Sequence, residues 1–298
     1  MKRLLLLFIL CLPCGAEAAL NVFACEPEWA ALAGEIGGDA VRVYSATTAR
    51  QDPHRIEARP SLIAQMRRAD LVVCSGAGLE DGWLPVLLRE AGNAGVQRGR
   101  PGHFEVARYV TLLEKPAVLD RAEGDVHADG NPHVHTDPRN IARVGAALAA
   151  RMGELDPATA SRYQARWQDF STRWNAAIAR WSQRAVPMKD MSVAVQHKSF
   201  SYLIAWLGLR EVATLEPKPG VEPSLTHLAR VAAQLQATPA RAVLRATYQS
   251  PRPADWLAAR AGIPALALPY TVGGSARAAD LFGLFDETLD LLLQAATR

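Results

Sequence analysis

Two series of short apolar runs, each alternating with helix-length stretches, flank one long aromatic-striped segment, and this order leaves the chain few folds to choose from. In the first series Asn21 to Cys25, Val41 to Tyr44 and Leu71 to Cys74 read as strands, with helices at Pro27 to Ile36 and Pro60 to Arg68. Strands separated by helices cannot return as tight hairpins. Each crossover carries the chain back to the same end, which builds a parallel sheet with helices on its faces. After Pro187 the rhythm resumes, with strands at Ser192 to Gln196, Val212 to Thr214, Ala242 to Arg245 and Ala265 to Leu268. Helices at Ser199 to Leu207, Ser224 to Gln236 and Ala254 to Ala261 lie between them, and Leu281 to Ala295 closes the chain.

Between the series, Asp137-Pro138 opens a helix running to about Glu154, with aspartate at the cap and proline in the first turn. Asp156-Pro157 repeats that chemistry and begins a longer helix to about Arg184, on which Tyr163, Trp167, Phe170, Trp174, Ile178 and Trp181 fall three or four apart. A stripe of that kind is packing. At 1.5 Å per residue the helix is roughly 40 Å long, enough to brace two lobes. The expected fold class is therefore α/β: two lobes with parallel-type sheets flanked by helices, joined by one long connecting helix. Its expected divisions are residues 1–18, 19–154, 155–186 and 187–298.

The first division is set apart by Met1-Lys2-Arg3, an apolar run from Leu4 to Leu12, and Ala16-Glu17-Ala18, the three-part pattern of an export signal with its cleavage site. The run is too short to span a bilayer. Cys14 follows Pro13, which argues against a lipid-attachment site. An exported, soluble protein of the periplasm is expected. The formal charge of +3 falls by one when Lys2, Arg3 and Glu17 are removed, and nothing in it points to nucleic acid. Cys25 and Cys74 remain, each ending an apolar run, and an even pair in an oxidising compartment usually closes a disulfide. Two buried free thiols are the alternative.

Three histidines stand where an open α/β fold gathers ligands, outside the carboxyl ends of strands. His54 lies in Gln51-Asp52-Pro53-His54 after the second strand, His133 in Asn131-Pro132-His133 before a capped helix, and His197 directly after a strand. Neutral imidazole suits zinc and neighbouring divalent ions, and a preceding proline restricts where the ring can go. Any one of them, taken alone, is more often a surface or satisfied core residue. His127 and His135, with Asp125 and Asp129 nearby, are candidates for a fourth or auxiliary ligand. His103 and His227 sit apart from any such spacing and read as surface residues.

In order and spacing these segments resemble the zinc and manganese receptors of ABC importers, a family of solute-binding proteins. Asp52-Pro53-His54 with Glu57 and Pro60-Ser61, Asn131-Pro132-His133 with Asp137-Pro138 and Asn140, His197 to Tyr202, and Glu222-Pro223-Ser224 carry the likeness. The resemblance spans essentially the whole mature chain. It implies two lobes bridged by a rigid helix, an ion held between them by His54, His133 and His197, and delivery to a membrane permease. It implies a monomeric binding protein, not an enzyme. Zinc is expected over manganese, because manganese receptors of this kind usually carry a carboxylate at the place of His197, and imidazoles suit zinc, copper or nickel.

One departure stands out. Where the family commonly has a ligating aspartate after the last strand, this chain reads Leu268-Pro269-Tyr270-Thr271. The fourth position is then left to water, to His135 or His127, or to a carboxylate from elsewhere. Ser61 and Glu57 are expected to cap or orient the following helix, and Asp52, Glu57 and Glu222 to accept ring N–H groups. The open position also raises an alternative, a periplasmic zinc-dependent hydrolase with a three-histidine site. No H-E-x-x-H pattern supports it.

Overall fold

The computed structural model describes residues 19–116, 124 and 127–297. The expected export signal and Asp125 therefore lie outside the described residues. The first series contains β1 (Leu20–Ala24), α1 (Pro27–Gly37), β2 (Val41–Ser45), α2 (Pro60–Arg68), β3 (Leu71–Cys74), α3 (Leu84–Ala91) and β4 (His103–Glu105). Two helices follow, α4 (Pro138–Leu155) and α5 (Ala160–Ala185). The second series is β5 (Ser192–Val195), α6 (Ser201–Leu207), β6 (Arg210–Thr214), α7 (Leu225–Ala237), β7 (Ala242–Ala246), α8 (Arg252–Ala261), β8 (Ala265–Leu268) and α9 (Leu281–Ala296).

Each series folds into its own four-stranded sheet, ordered β2-β1-β3-β4 and β6-β5-β7-β8, and every pairing is parallel. The lobes thus repeat one topology. Strands β3 and β5 are buried along their whole length, which is why they read as unbroken apolar runs and not as an alternation. Cys25 directly follows β1 and Cys74 ends β3, its neighbour in the first sheet, and the two form a disulfide across Cα atoms 4.8 Å apart. The free-thiol alternative falls.

Three readings need correction. Strand β4 carries no apolar run, so pattern alone does not reveal it, and His103 is not at the surface. It pairs beside Val72, is buried, and places Nδ1 2.9 Å from the Val96 carbonyl, the hydrogen bond that lets a polar ring sit inside. His227, also read as a surface residue, is half-buried on α7. The long helix starts at Ala160, not at Asp156, because that carboxylate is used otherwise: Asp156 ends α4 and accepts from the Tyr163 hydroxyl at 2.8 Å.

Helix α5 binds both lobes through one stripe. Tyr163, Phe170, Trp174 and Trp181 are fully buried. Trp167 lies so close to α4 that a Cβ on Gly145 would come within 2.2 Å of its ring, so the two helices can meet only at glycine. The Trp174 indole donates to the Pro138 carbonyl at 2.8 Å, tying α5 to α4, and the Trp181 indole donates to Asp286 at 2.8 Å, tying it to α9. Phe282 and Phe285 of α9 pack edge-on to Trp174, with centroids 4.9 and 5.6 Å away. Such pairs contribute about 1 kcal/mol each beyond the area they bury.

Candidate metal centre

Local bonding explains why each of the three histidines is held where it is. In the loop after β2, the Asp52 carboxylate accepts the His54 backbone N–H at 3.0 Å, and the Trp83 indole donates to the Pro53 carbonyl at 2.9 Å. Before α4, the Asn131 side chain accepts the His133 backbone N–H at 2.9 Å, while its amide donates across to the Lys198 carbonyl at 2.8 Å. Asp137 caps α4 by accepting the Arg139 N–H at 2.8 Å, as its sequence predicts. His197 follows β5 at the carboxyl edge of the second sheet.

One ring nitrogen from each of His54, His133 and His197 lies within 4.8 Å of the other two. On all three rings Nδ1 meets an oxygen at 2.7 Å: Asp52 Oδ1 for His54, Tyr270 Oη for His133 and Glu216 Oε2 for His197. That leaves the three Nε2 atoms for the common centre. The Nε2 atoms of His133 and His197 are 3.2 Å apart, and His54 Nε2 is buried without a hydrogen-bond partner. A ring oriented through one nitrogen and bare at the other is the arrangement of a metal-ligating imidazole. Burial first, then the neighbouring His54 and His197 rings, holds His133 neutral well below the ordinary imidazole range. Burial pushes Asp52 up, but the His54 hydrogen bond and charge outweigh it and hold that carboxyl below its usual range.

The other candidates fall into place around this cluster. His127 stacks on His54 with centroids 5.3 Å apart and stands 6.4 Å from His133, beside the group of three and outside it. His135 turns away: its Nε2 is 2.8 Å from the Tyr270 carbonyl and its Nδ1 is 3.1 Å from Glu28. Glu222 lines a cavity of about 210 Å³ together with Asp52, His54, His197 and Glu216. Glu57 is exposed, and α2 has Arg59 at its cap with no side-chain cap bond, so neither Ser61 nor Glu57 caps that helix. Pro60 in its first turn serves instead.

Sequence reasoning found Asp52 and missed two partners. Glu216 sits two residues past β6 in a run with no motif of its own, and Tyr270 fills the segment where an aspartate was sought. The missing carboxylate was itself the signal.

Three imidazoles converging from three segments of chain make a candidate metal site, and the comparisons with known proteins say which class of protein carries it. The chain belongs to the family described as zinc-uptake complex component A, periplasmic, whose model matches residues 22–295. This is a family of ABC-transporter solute-binding proteins and not of enzymes, so the hydrolase alternative gains no support. The metal ABC transporter substrate-binding lipoprotein SloC of Streptococcus mutans is 23% identical over 286 residues, covering 91% of this chain and 90% of the relative. The high-affinity zinc uptake system protein ZnuA of Bacillus subtilis is 22% identical, covering 71% of this chain and 66% of the relative. Among solved structures, a crystal structure of ZnuA superposes with a TM-score of 0.75 at 22% identity, covering 92% of this chain and all of that one. A Pseudomonas aeruginosa binding protein, FpvC, in complex with nickel gives 0.76 at 23% identity, covering 94% and 97%. No described helix is long and apolar enough to cross a membrane.

Proposed function

We propose that the chain captures a divalent transition metal in the periplasm, zinc in preference to manganese, and delivers it as a monomer to the permease of an ABC importer. His54, His133 and His197 are the ligands, and residues 155–186 brace lobes made of residues 19–154 and 187–298. The observation that carries this reading is that all three rings are committed through Nδ1 to an oxygen and that one nitrogen of each lies within 4.8 Å of the other two. Three imidazole ligands favour a borderline cation, and manganese prefers oxygen ligands. Relatives span both choices, since AdcA of Streptococcus pneumoniae is a zinc-binding lipoprotein and scaA of Streptococcus gordonii belongs to a manganese transporter. The fourth position belongs to water or to His127, which stacks on His54; His135 is already engaged by the Tyr270 carbonyl.

Equilibrium dialysis and calorimetry with purified protein test this directly. One tight equivalent of zinc is expected, with manganese held far more weakly, and the double change His54→Ala plus His197→Ala abolishes uptake. Unchanged zinc affinity in that variant refutes the site, and equal affinity for the two metals refutes the preference. If His127 supplies the fourth bond, His127→Ala weakens zinc by ~10-fold or more; if water supplies it, the affinity stays put.

A further inference from the structure

We propose that Asn131 is a positioning residue of the metal centre, coupling the segment that carries His133 to the segment that carries His197 through one side-chain amide. The inference rests on those two histidines being metal ligands. Asn131 is buried two residues before His133, and its Oδ1 accepts the His133 backbone N–H at 2.9 Å. Its Nδ2 donates to the main-chain carbonyl of Lys198, the residue after His197, at 2.8 Å. One short side chain thus holds the backbone at or beside two ligands that are 64 positions apart in the chain. The Nε2 atoms of that pair stand 3.2 Å from each other. Two imidazole nitrogens on one tetrahedral zinc, each about 2.0 Å from it, stand roughly 3.3 Å apart, so the pair is held near the spacing that the ion requires.

The amide can take only one orientation. A backbone N–H can only donate, so an oxygen must face His133; a carbonyl can only accept, so the NH₂ must face Lys198. Glu114 fixes the same choice from a third side. Its Oε2 accepts from Asn131 Nδ2 at 2.9 Å and from the Ser201 hydroxyl at 3.1 Å, and its Oε1 accepts from Lys198 Nζ at 2.8 Å. Both amide hydrogens are thereby used, one on Lys198 and one on Glu114. Desolvation raises the Glu114 carboxyl, but hydrogen bonds from Lys198 and Asn131 outweigh it and hold it below the usual carboxylate range, as a pure acceptor. Glu114 has a φ of 54°, a left-handed conformation that favours glycine, yet the loop keeps a carboxylate there. The main chain of Asn131 is tied separately, its N–H to the Leu113 carbonyl at 2.8 Å and its carbonyl to the Tyr202 hydroxyl at 2.6 Å, so the segment keeps its place when the side chain is changed.

Three substitutions in the full chain separate coupling of the two ligands from local support of His133. Asn131→Ala removes both bonds. Asn131→Ser and Asn131→Asp keep an oxygen for the N–H two residues on but give nothing to the Lys198 carbonyl, because the serine hydroxyl is too short to reach it and an ionised aspartate, at pH 8, can only accept. Zinc affinity is expected to fall by ~10-fold or more in all three, the scale for loss of a group that orients a ligand, with the aspartate, set against Glu114, binding most weakly. Urea unfolding of the metal-free protein is recorded for each, and serine, which brings no charge, carries the comparison if the aspartate variant does not fold. Cobalt in place of zinc gives a second readout, since its visible absorption follows the geometry of its ligands: the bands of Asn131→Ser should shift from those of wild type. Wild-type zinc affinity in Asn131→Ser, or cobalt bands that do not move in it, overturns the proposal. If wild type takes up no zinc at all, it is the proposed function that fails; tight wild-type binding that Asn131→Ser leaves intact removes the role of Asn131 alone.

Discussion

Replacing Glu80 by glutamine should make the protein more stable, and only above a particular pH. Glu80 and Glu26 are both buried beside the Cys25–Cys74 disulfide, where Glu80 accepts the Gly76 N–H at 3.0 Å and Glu26 accepts the Ser75 hydroxyl at 3.1 Å. Burial, partly opposed by hydrogen bonds from the Glu26 side chain and the Gly76 N–H, pushes the Glu80 carboxyl from its ordinary 4.5 to about 7. Glu26 is raised as well, by burial and then by Glu80 and Glu28. Between pH 4.5 and 7 the folded chain therefore keeps a proton that the unfolded chain has released. Folded protein binds more protons in that window, so stability falls as pH rises through it and levels off above about 7. A displacement of that size corresponds to about 3 kcal/mol. Glutamine still accepts the Gly76 N–H but has no proton to lose. Urea unfolding of the metal-free protein, followed by tryptophan fluorescence from pH 4.5 to 8, gives the free energies. The variant-minus-wild-type difference should grow by about 3 kcal/mol from pH 4.5 to 7 and level off above about 7. His133, held neutral by burial, adds an opposite slope in the same range, but it does so in both proteins and cancels in the difference. A difference that stays flat across the window refutes the buried-proton account.

Three further outcomes follow from the same structure. Changing Cys25 and Cys74 to serine together opens a closure spanning 49 residues, which should cost about 4 kcal/mol by loop entropy; a loss below 1 kcal/mol in urea unfolding would refute that. Trp174→Ala empties the centre of the brace and should cost about 4 kcal/mol, and because the ring touches both α4 and α9 the two lobes should loosen together, visible as lost amide protection in both and not in one alone. Glu216→Gln leaves His197 oriented by a neutral group in place of a carboxylate and should weaken zinc by 10-fold or more with little change in metal-free stability; unchanged affinity would show that the 2.7 Å contact does nothing for the ligand.

The parts of this protein that sequence determines are those whose physics is local. Strands β3 and β5 announce themselves because a parallel strand buried on both faces must be apolar throughout, and α4 because Asp137 and Pro138 satisfy and shape its first turn within two positions. His54 and His133 were legible for a similar reason: an Asp or Asn two residues upstream holds each one's backbone N–H, so the ligand and its local brace travel as one short motif. Tertiary structure decided everything that depends on residues meeting from far along the chain. Tyr270 reaches His133 across 137 positions, Trp83 supports Pro53 from 30 away, and His103 lies inside because β3 lies beside it. No periodicity encodes such meetings, because a side chain's partner is fixed by how helices and sheets pack and not by its neighbours in sequence. The same cause turned His135 from candidate ligand to buried partner of Glu28: in a turn two residues from His133 it points the other way, and only the packed loop after β8 shows what it meets there.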